Sequence, residues 1–385
     1  INFDGEQKEE GILSGALRLQ VGQFEVRRSR IGGERWTDRP LEIRVQVDFN
    51  PETQQLNVRD LALLGDQVDV TAQGEVALRG EFPGEARLSV NRLPPAALAL
   101  GRSELLERLG VRVTAAGTTP SLRADMRSSG PFAKPLELQS RASLRMSGWR
   151  FDASQLPESL LLEEIDLVLS REEFDLRELA VQLGGFSASA EGRVPINTRG
   201  EREPGRLSLE ASGEPDAVFA LLSRLDVLPP ELVSLSAPVE LRADMGLVLS
   251  RDPASRELRF QLDRRASEGT LSWREGDLEL RRFLEPIHLQ PGMVEFDDGA
   301  LDVRRLGASL RGFTANFSGG ASGGPLAGEE GPATFEGELT ASGQVQDAVT
   351  ILGQEIALPE LPRDFTGEGR AELWTSGNTA EPGRA

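Results

Sequence analysis

An internal repeat constrains this 385-residue chain more than any other feature, because self-similarity at a fixed period marks stacked units that share one structure. Three segments align without gaps: Leu56-Asn-Val-Arg-Asp-Leu61 running to Gly74, Phe174-Asp-Leu-Arg-Glu-Leu179 running to Gly192, and Leu301-Asp-Val-Arg-Arg-Leu306 running to Gly319. In each, the closing Gly lies 18 residues after the first apolar residue, and Val68, Phe186 or Phe313 stands at offset 12. A second anchor, Leu122-Arg-Ala-Asp-Met126, returns as Leu241-Arg-Ala-Asp-Met245 and more weakly as Gly369-Arg-Ala-Glu-Leu373. Its Arg follows the repeated Arg59, Arg177 and Arg304 at 64, 65 and 66 residues. A third anchor lies between them, at Leu88-Ser-Val90, Leu207-Ser-Leu-Glu-Ala-Ser-Gly213 and Leu339-Thr-Ala-Ser-Gly343. The expected organisation is three units, 1–120, 121–240 and 241–368, with the glycine-rich stretch 318–331 as an enlarged surface loop in the third. Residues 369–385 then open a further unit and end in a polar tail.

Within a unit the dominant pattern is strict alternation: Leu41, Ile43, Val45 and Val47; Leu136 and Leu138; Ile165, Leu167 and Leu169; Leu258, Phe260 and Leu262. Period 2 predicts strands with one apolar and one wet face. Turn residues punctuate them at Asn50-Pro51, Gly184-Gly185 and Asp298-Gly299, so an antiparallel meander is expected. In every copy the apolar phase slips between offsets 2 and 5 of the first anchor. One extra residue at the Arg-Xaa step restores the phase, which predicts a β-bulge and a bend there. Short amphipathic helices are predicted only at Pro95–Leu106, Asp216–Leu225 and Asp347–Leu352, each following the third anchor. The fold class is therefore all-β: an elongated, curved, mainly antiparallel sheet of tandem repeats with short crossing helices.

Composition narrows the function. Net charge is -19, and Lys8 and Lys134 are the only lysines, so the positive charge is almost all Arg dispersed among acidic residues. Nucleic-acid binding needs a concentrated basic surface, so no nucleic-acid partner is expected. With no Cys, thiol catalysis, disulfides and Cys-ligated metals are excluded. His288 is the only histidine and is read as a strand or turn residue, leaving no His-based triad within the chain. Glu163-Glu164, Glu172-Glu173 and Asp297-Asp298 lack calcium-loop spacing and are read as solvated charge at strand ends. The Gly-rich run is followed by no Lys and lies in no βαβ context, so nucleotide binding is not expected. The chain reads as a non-enzyme without cofactor or metal.

Arg59, Arg177 and Arg304 are read as wet-face residues balanced by neighbours such as Asp60 and Glu178, the alternative being contacts to headgroups. Arg123 with Asp125, and Arg242 with Asp244, are read as surface pairs. The chain begins at Ile1 without Met and has no apolar run of membrane-spanning length, so any anchor or export signal is expected outside it.

The strand pairs closing in Gly, the Leu-Xaa-Ala-Ser-Gly strand and the short helix after it resemble the AsmA-like superfamily of bacterial envelope proteins, which includes TamB- and YhdP-type members and is related to repeating-β-groove lipid-transfer bridges. The best matching stretches are Phe174–Val194 with Leu207–Leu222, and Leu301–Gly319 with Leu339–Leu352. The resemblance implies a β-groove, taco-like fold, anchorage to the inner membrane through a segment outside this chain, and a periplasmic location in a Gram-negative bacterium. It also implies phospholipid transport between the inner and outer membranes, with docking proteins of the periplasm or outer membrane as partners.

Phospholipid acyl chains are then the expected ligand. About 32 chain methylenes at ~0.8 kcal/mol each oppose hydration by roughly 25 kcal/mol, a barrier that an apolar trough removes. Stacking ~15–18 strands at about 4.8 Å gives a trough of roughly 70–85 Å. Candidate trough residues are Leu61, Val68, Val70, Leu179, Phe186, Ala188, Leu306, Phe313, Ala315 and Phe317. The rival expectation is a structural or adhesive β-array, or an assembly scaffold of the envelope, with the apolar face packed dry.

Overall fold

The computed structural model of the protein describes residues 2–7, 12–22, 24–27, 35–38, 40–93, 111–115, 120–133, 139–153, 156–197, 204–224, 232–251, 258–281, 285–347 and 367–378. Two compact units divide at residues 182 and 183, inside a strand. The first carries β1 (Asn2–Gln7), β2 (Leu13–Val21), β3 (Phe24–Arg27), β4 (Arg35–Asp38), β5 (Leu41–Asn50), β6 (Gln55–Leu64), β7 (Asp69–Ala77), β8 (Pro83–Arg92), β9 (Val111–Ala115), β10 (Ser121–Pro131), β11 (Gln139–Ala153) and β12 (Leu160–Leu169). The boundary falls within β13 (Glu173–Leu183). The second unit carries β14 (Phe186–Asn197), β15 (Gly205–Gly213), helix α1 (Asp216–Arg224), β16 (Leu232–Leu235), β17 (Val239–Arg251), β18 (Leu258–Trp273), β19 (Gly276–Leu280), β20 (Ile287–Leu289), β21 (Gly292–Asp297), β22 (Ala300–Leu310), β23 (Phe313–Ser322), a 3-10 turn (Gly324–Ala327), β24 (Thr334–Gln344) and β25 (Glu368–Asn378). Among the described residues no helix is long and apolar enough to cross a membrane.

The fold is all-β and antiparallel, as the alternation predicts. In the first unit the ladder runs β1-β2-β5-β6-β7-β8-β10-β11-β12. In the second it runs β14-β15-β17-β18-β21-β22-β23-β24-β25. Neither ladder has a pairing between its first and last strands among the described residues, so each sheet is open. Side branches share an edge with the main ladder. Strand β9 pairs with the far end of β11 beside β10, and β16-β19-β20 join β22 beside β21. A parallel contact of two residue pairs ties the end of β14 to β17 at Ile196↔Leu249 and Asn197↔Ser250.

Turns form where the sequence places them. Asn50 Oδ1 accepts the amides of Glu52 and Thr53 at 2.9 and 3.2 Å, holding the β5–β6 turn. Asp298 and Gly299, at φ 47° and 70°, supply the two positive φ angles of a type I′ hairpin. Arg311 and Gly312 do the same between β22 and β23 at φ 52° and 81°; Arg-Gly is a weaker turn signal and the sequence pattern passes over it.

The bulge prediction is met at both copies whose pairing registers are described on each side. On β6, Val58 opposes Gly74 and Leu61 opposes Ala72, so Arg59 and Asp60 together face Gln73. On the other edge Gln46 pairs with Asp60 and Val47 with Val58, leaving Arg59 extra. On β22, Val303 opposes Gly319 and Leu306 opposes Phe317, with Arg304 and Arg305 sharing Ser318. The second and third anchors also turn out to be sheet neighbours: Ser89 opposes Asp125, Ser208 opposes Asp244, and Thr340 opposes Glu372.

Two expectations need correction. The strand before the glycine-rich insertion runs on to Ser322, and the segment after it folds into the 3-10 turn, which packs on β18, β22 and β23 instead of standing off as a surface loop. Glu163 and Glu164 lie inside β12, not at its end, because the ladder with β11 runs through them, with Glu164 opposite Ser147 and Leu162 opposite Trp149. Helix α1 matches the predicted Asp216–Leu225 to within one residue. Val345–Asp347 begin a helix where Asp347–Leu352 was predicted, the remainder lying outside the described residues together with Pro95–Leu106 and the Leu136–Leu138 alternation.

Candidate functional site: the apolar sheet faces

Directly opposed residues in a ladder share a face, so the registers sort every side chain. In the first unit one row across eight strands reads Leu17, Val45, Leu61, Ala72, Leu88, Met126, Ala142 and Leu169. The next row reads Leu19, Ile43, Leu63, Val70, Val90, Ala124, Leu144 and Leu167. Eight strands at about 4.8 Å make each row about 34 Å long. In the second unit a row reads Ala188, Ala211, Leu241, Leu271, Val294, Val303, Gly319 and Gly337. A shorter row sets Leu306, Phe317, Leu339 and Leu373 side by side.

These side chains are not sealed as a sandwich core would be. Leu17, Val45, Ala72, Leu88, Ala142 and Leu169 are half-buried, and Leu61 and Met126 are 44% and 43% exposed. In the first unit full burial gathers at Leu41 with Val68 and at Leu122 with Trp149 and Leu162, and in the second Val194, Ile196, Val248 and Leu249 are buried. Trp149 Nε1 donates to the Ser121 carbonyl at 2.7 Å, satisfying its polar end inside the second cluster.

The ten candidate trough residues divide accordingly. Leu61 and Val70 lie in adjacent rows of the first unit, and the bulge at Arg59 is what brings Leu61 back onto the face of Leu56 and Val58. Val68 is fully buried against Leu41, which makes it a packing residue closed to a ligand and corrects its place among the candidates. Leu179 packs on the Leu122–Trp149–Leu162 cluster. Phe186 and Ala188 oppose Gly213 and Ala211. Leu306 opposes Phe317, Ala315 opposes Ala308, and Phe313 opposes Leu310.

The other face is polar and heavily ion-paired. Arg59 pairs with Asp48, a buried carboxylate that also accepts Ser14 Oγ at 2.7 Å. Arg177 reaches Asp175 at 3.2 Å, and Arg304 reaches Glu295 at 2.8 Å and Asp302 at 3.0 Å. The repeated arginines are thus balanced, by cross-strand or i−2 carboxylates instead of the adjacent Asp60 and Glu178. Similarly, Asp125 does not pair with Arg123. It accepts Ser89 Oγ at 2.5 Å and Arg87 at 3.3 Å, and the Ser89 hydroxyl first, then Arg87, holds it below the usual carboxylate range. Asp244 accepts Ser208 Oγ, and Arg242 pairs with Glu240 at 2.7 Å. Residues two apart on a strand compete here with directly opposed ones, which stand closer.

His288, on β20, is bracketed by Glu275 at 2.8 Å and Asp277 at 3.1 Å on its two ring nitrogens, and these carboxylates, Asp277 first, raise its pKa. No grouping of three or more His, Asp or Glu that could hold a metal occurs among the described residues. An open furrow of about 590 Å³ on the polar face of the second unit is bordered by Asp302, Arg304, Glu336 and Trp374.

On the apolar face of the second unit, a cavity of about 430 Å³ is lined by Met245, Leu262, Phe296, Leu301 and Leu326, with Arg264, Ser267 and Asp297 around it. Sequence reasoning missed it, because its lid comes from the glycine-rich insertion. The local signal was Leu326 between Pro325 and Ala327, an apolar residue inside a segment otherwise read as loop.

No protein-family model, curated protein or solved structure matches the chain.

Proposed function

We propose that this protein is a non-catalytic lipid-carrying segment of an AsmA-like envelope protein, whose apolar sheet faces shield phospholipid acyl chains crossing a Gram-negative periplasm. One observation carries the reading: in the first unit two rows of apolar side chains cross eight strands, in the second a row from Ala188 to Val303 crosses six, and most of these side chains are left half-buried or exposed. A face of that extent is costly in water, since each square ångström of apolar surface removed from solvent is worth about 25 cal/mol. Acyl chains lying across the rows would recover this energy without fixed polar contacts, and neighbouring rows of similar chemistry would let them slide. The polar face, with its arginines neutralised by carboxylates, remains in water. The inner-membrane anchor and the docking proteins at either membrane belong to the same proposal.

A photocrosslinking residue placed at Leu61, Met126, Phe186 and Phe313, followed by mass spectrometry of adducts from envelopes, tests it. Phospholipid adducts at all four positions are the expected result. Adducts to protein alone at every position would replace the conduit with the packed structural array.

A further inference from the structure

We infer that the cavity beneath the 3-10 turn of the second unit is a discrete binding site for one acyl chain of a zwitterionic amphiphile, whose headgroup lies between Arg264 and Asp297. The inference deepens the acyl-chain reading above and does not require transport.

Three features build the site. The register of β17 with β18 jumps between Asp244 and Gly246, so that residues 264–267 loop out of the ladder opposite Met245. Bulges re-aim side chains, and this one places Arg264 at the cavity and Arg265 in an ion pair with Glu329, just past the 3-10 turn. The loop is pinned from inside: buried Ser267 accepts the Gly246 amide at 2.9 Å and donates to the Asp263 carbonyl at 2.6 Å.

The lid is equally fixed. Glu329 N donates to Gly324 O at 2.9 Å and Leu326 N to Gly323 O at 3.2 Å. A Cβ at Gly299 would stand 2.6 Å from Ala327 Cα, so the Asp298-Gly299 turn and the lid touch closely enough to exclude any other residue there. Leu326 thereby becomes a roof over Met245, Leu262, Phe296 and Leu301.

The chemistry of the occupant follows from the lining. The volume lies within the range of small-molecule sites, and an apolar interior with few polar groups at one end suits an amphiphile. The side chains of Arg264 and Asp297 make no hydrogen bond or ion pair among the described residues, whereas Arg242, Arg265, Arg304, Arg311 and Arg370 of this unit are paired. An unpaired cation and an unpaired carboxylate at one site complement a headgroup carrying both charges.

The test uses lysophosphatidylethanolamine bearing a diazirine near the end of its chain. Adducts should concentrate in peptides containing Met245, Phe296 and Leu326. Leu326→Asp should weaken binding about tenfold by putting a charge over the chain, with unchanged amide exchange in β22–β24 showing that the sheet is intact. Arg264→Gln should weaken this probe about tenfold through loss of a charged contact, yet leave an uncharged monoacylglycerol of the same chain length unaffected. Adducts spread evenly over the apolar face, or an unchanged affinity in Leu326→Asp with the sheet intact, would overturn the site. If this site labels while Leu61 and Phe186 give no lipid adducts, the conduit fails and the site stands. The reverse pattern leaves the conduit and removes the site.

Discussion

Deletion of Arg59 asks whether the bulge in β6 is what keeps Leu56, Val58, Leu61 and Leu63 on one face. With Arg59 removed, Val58, Asp60 and Leu61 follow one another in plain alternation, and the apolar rows are preserved. The loss is confined to the ion pair with Asp48, made by a side chain 53% exposed, and such a pair contributes about 0–1 kcal/mol. Asp48 keeps its hydrogen bond from Ser14. Deleting Arg44 from the regular part of β5 is the control. There a one-residue slip turns Leu41 and Ile43 to the polar face and brings Glu42 to the apolar one. Leu41 is 2% exposed and Ile43 half-buried, so their burial alone is worth about 3–4 kcal/mol. Amide hydrogen exchange over β5–β7 reads the difference. Protection in the Arg59 deletion should stay within about fivefold of the parent protein, while the Arg44 deletion should lose more than a hundredfold, at about 1.4 kcal/mol per factor of ten. Equal damage from the two deletions would show that Arg59 is not the extra residue and that the phase slip has another origin.

Trp149→Ala, which empties a fully buried site and removes the bond to Ser121 O, should destabilise the first unit by about 3–5 kcal/mol, read as a lower urea midpoint by circular dichroism; Trp149→Phe should lie between it and the parent. The imidazole of His288 should titrate above the ordinary histidine value in proton NMR, where its signal has no histidine neighbour, and Asp277→Asn should lower the midpoint more than Glu275→Gln. Because this pKa is raised by folding, the stabilisation is complete below the unfolded value and fades as pH rises through the folded one. Protection of β19 and β20 should therefore weaken in that window and be pH-independent there in His288→Gln. For Asp125 the sign reverses: its depressed pKa gives stability above the unfolded value that is lost as pH falls through the folded one, and Ser89→Ala should raise the carboxyl midpoint measured by carbon NMR.

Much of the fold is legible in the chain because its signals are local. Alternation at Leu41–Val47 and Ile165–Leu169 specifies strands by itself, Asp298-Gly299 specifies a hairpin, and the phase slip at Arg59 and Arg304 specifies a bulge. Each is a statement about neighbours along the backbone, set by sterics and side-chain period. The apolar face is legible for the same reason, and so is the place on it of Leu61, Val70, Ala188 and Phe317.

What only the tertiary structure decided depends on residues far apart in sequence. Asp48 lies across the ladder from Arg59, and Ser89 across from Asp125, so the register chose partners that adjacency alone assigned to Asp60 and Arg123. Val68 reads like its counterparts Phe186 and Phe313, yet Leu41 closes over it because β5 begins beside the β6–β7 turn. The glycine-rich insertion carries almost no periodicity, and its conformation is fixed by contacts with Gly299, Arg265 and the apolar residues of β18 and β22. A repeat therefore determines by itself that this chain forms antiparallel sheets with one apolar face. Where that face is sealed and where it stays open follows from long-range packing, which no local pattern encodes.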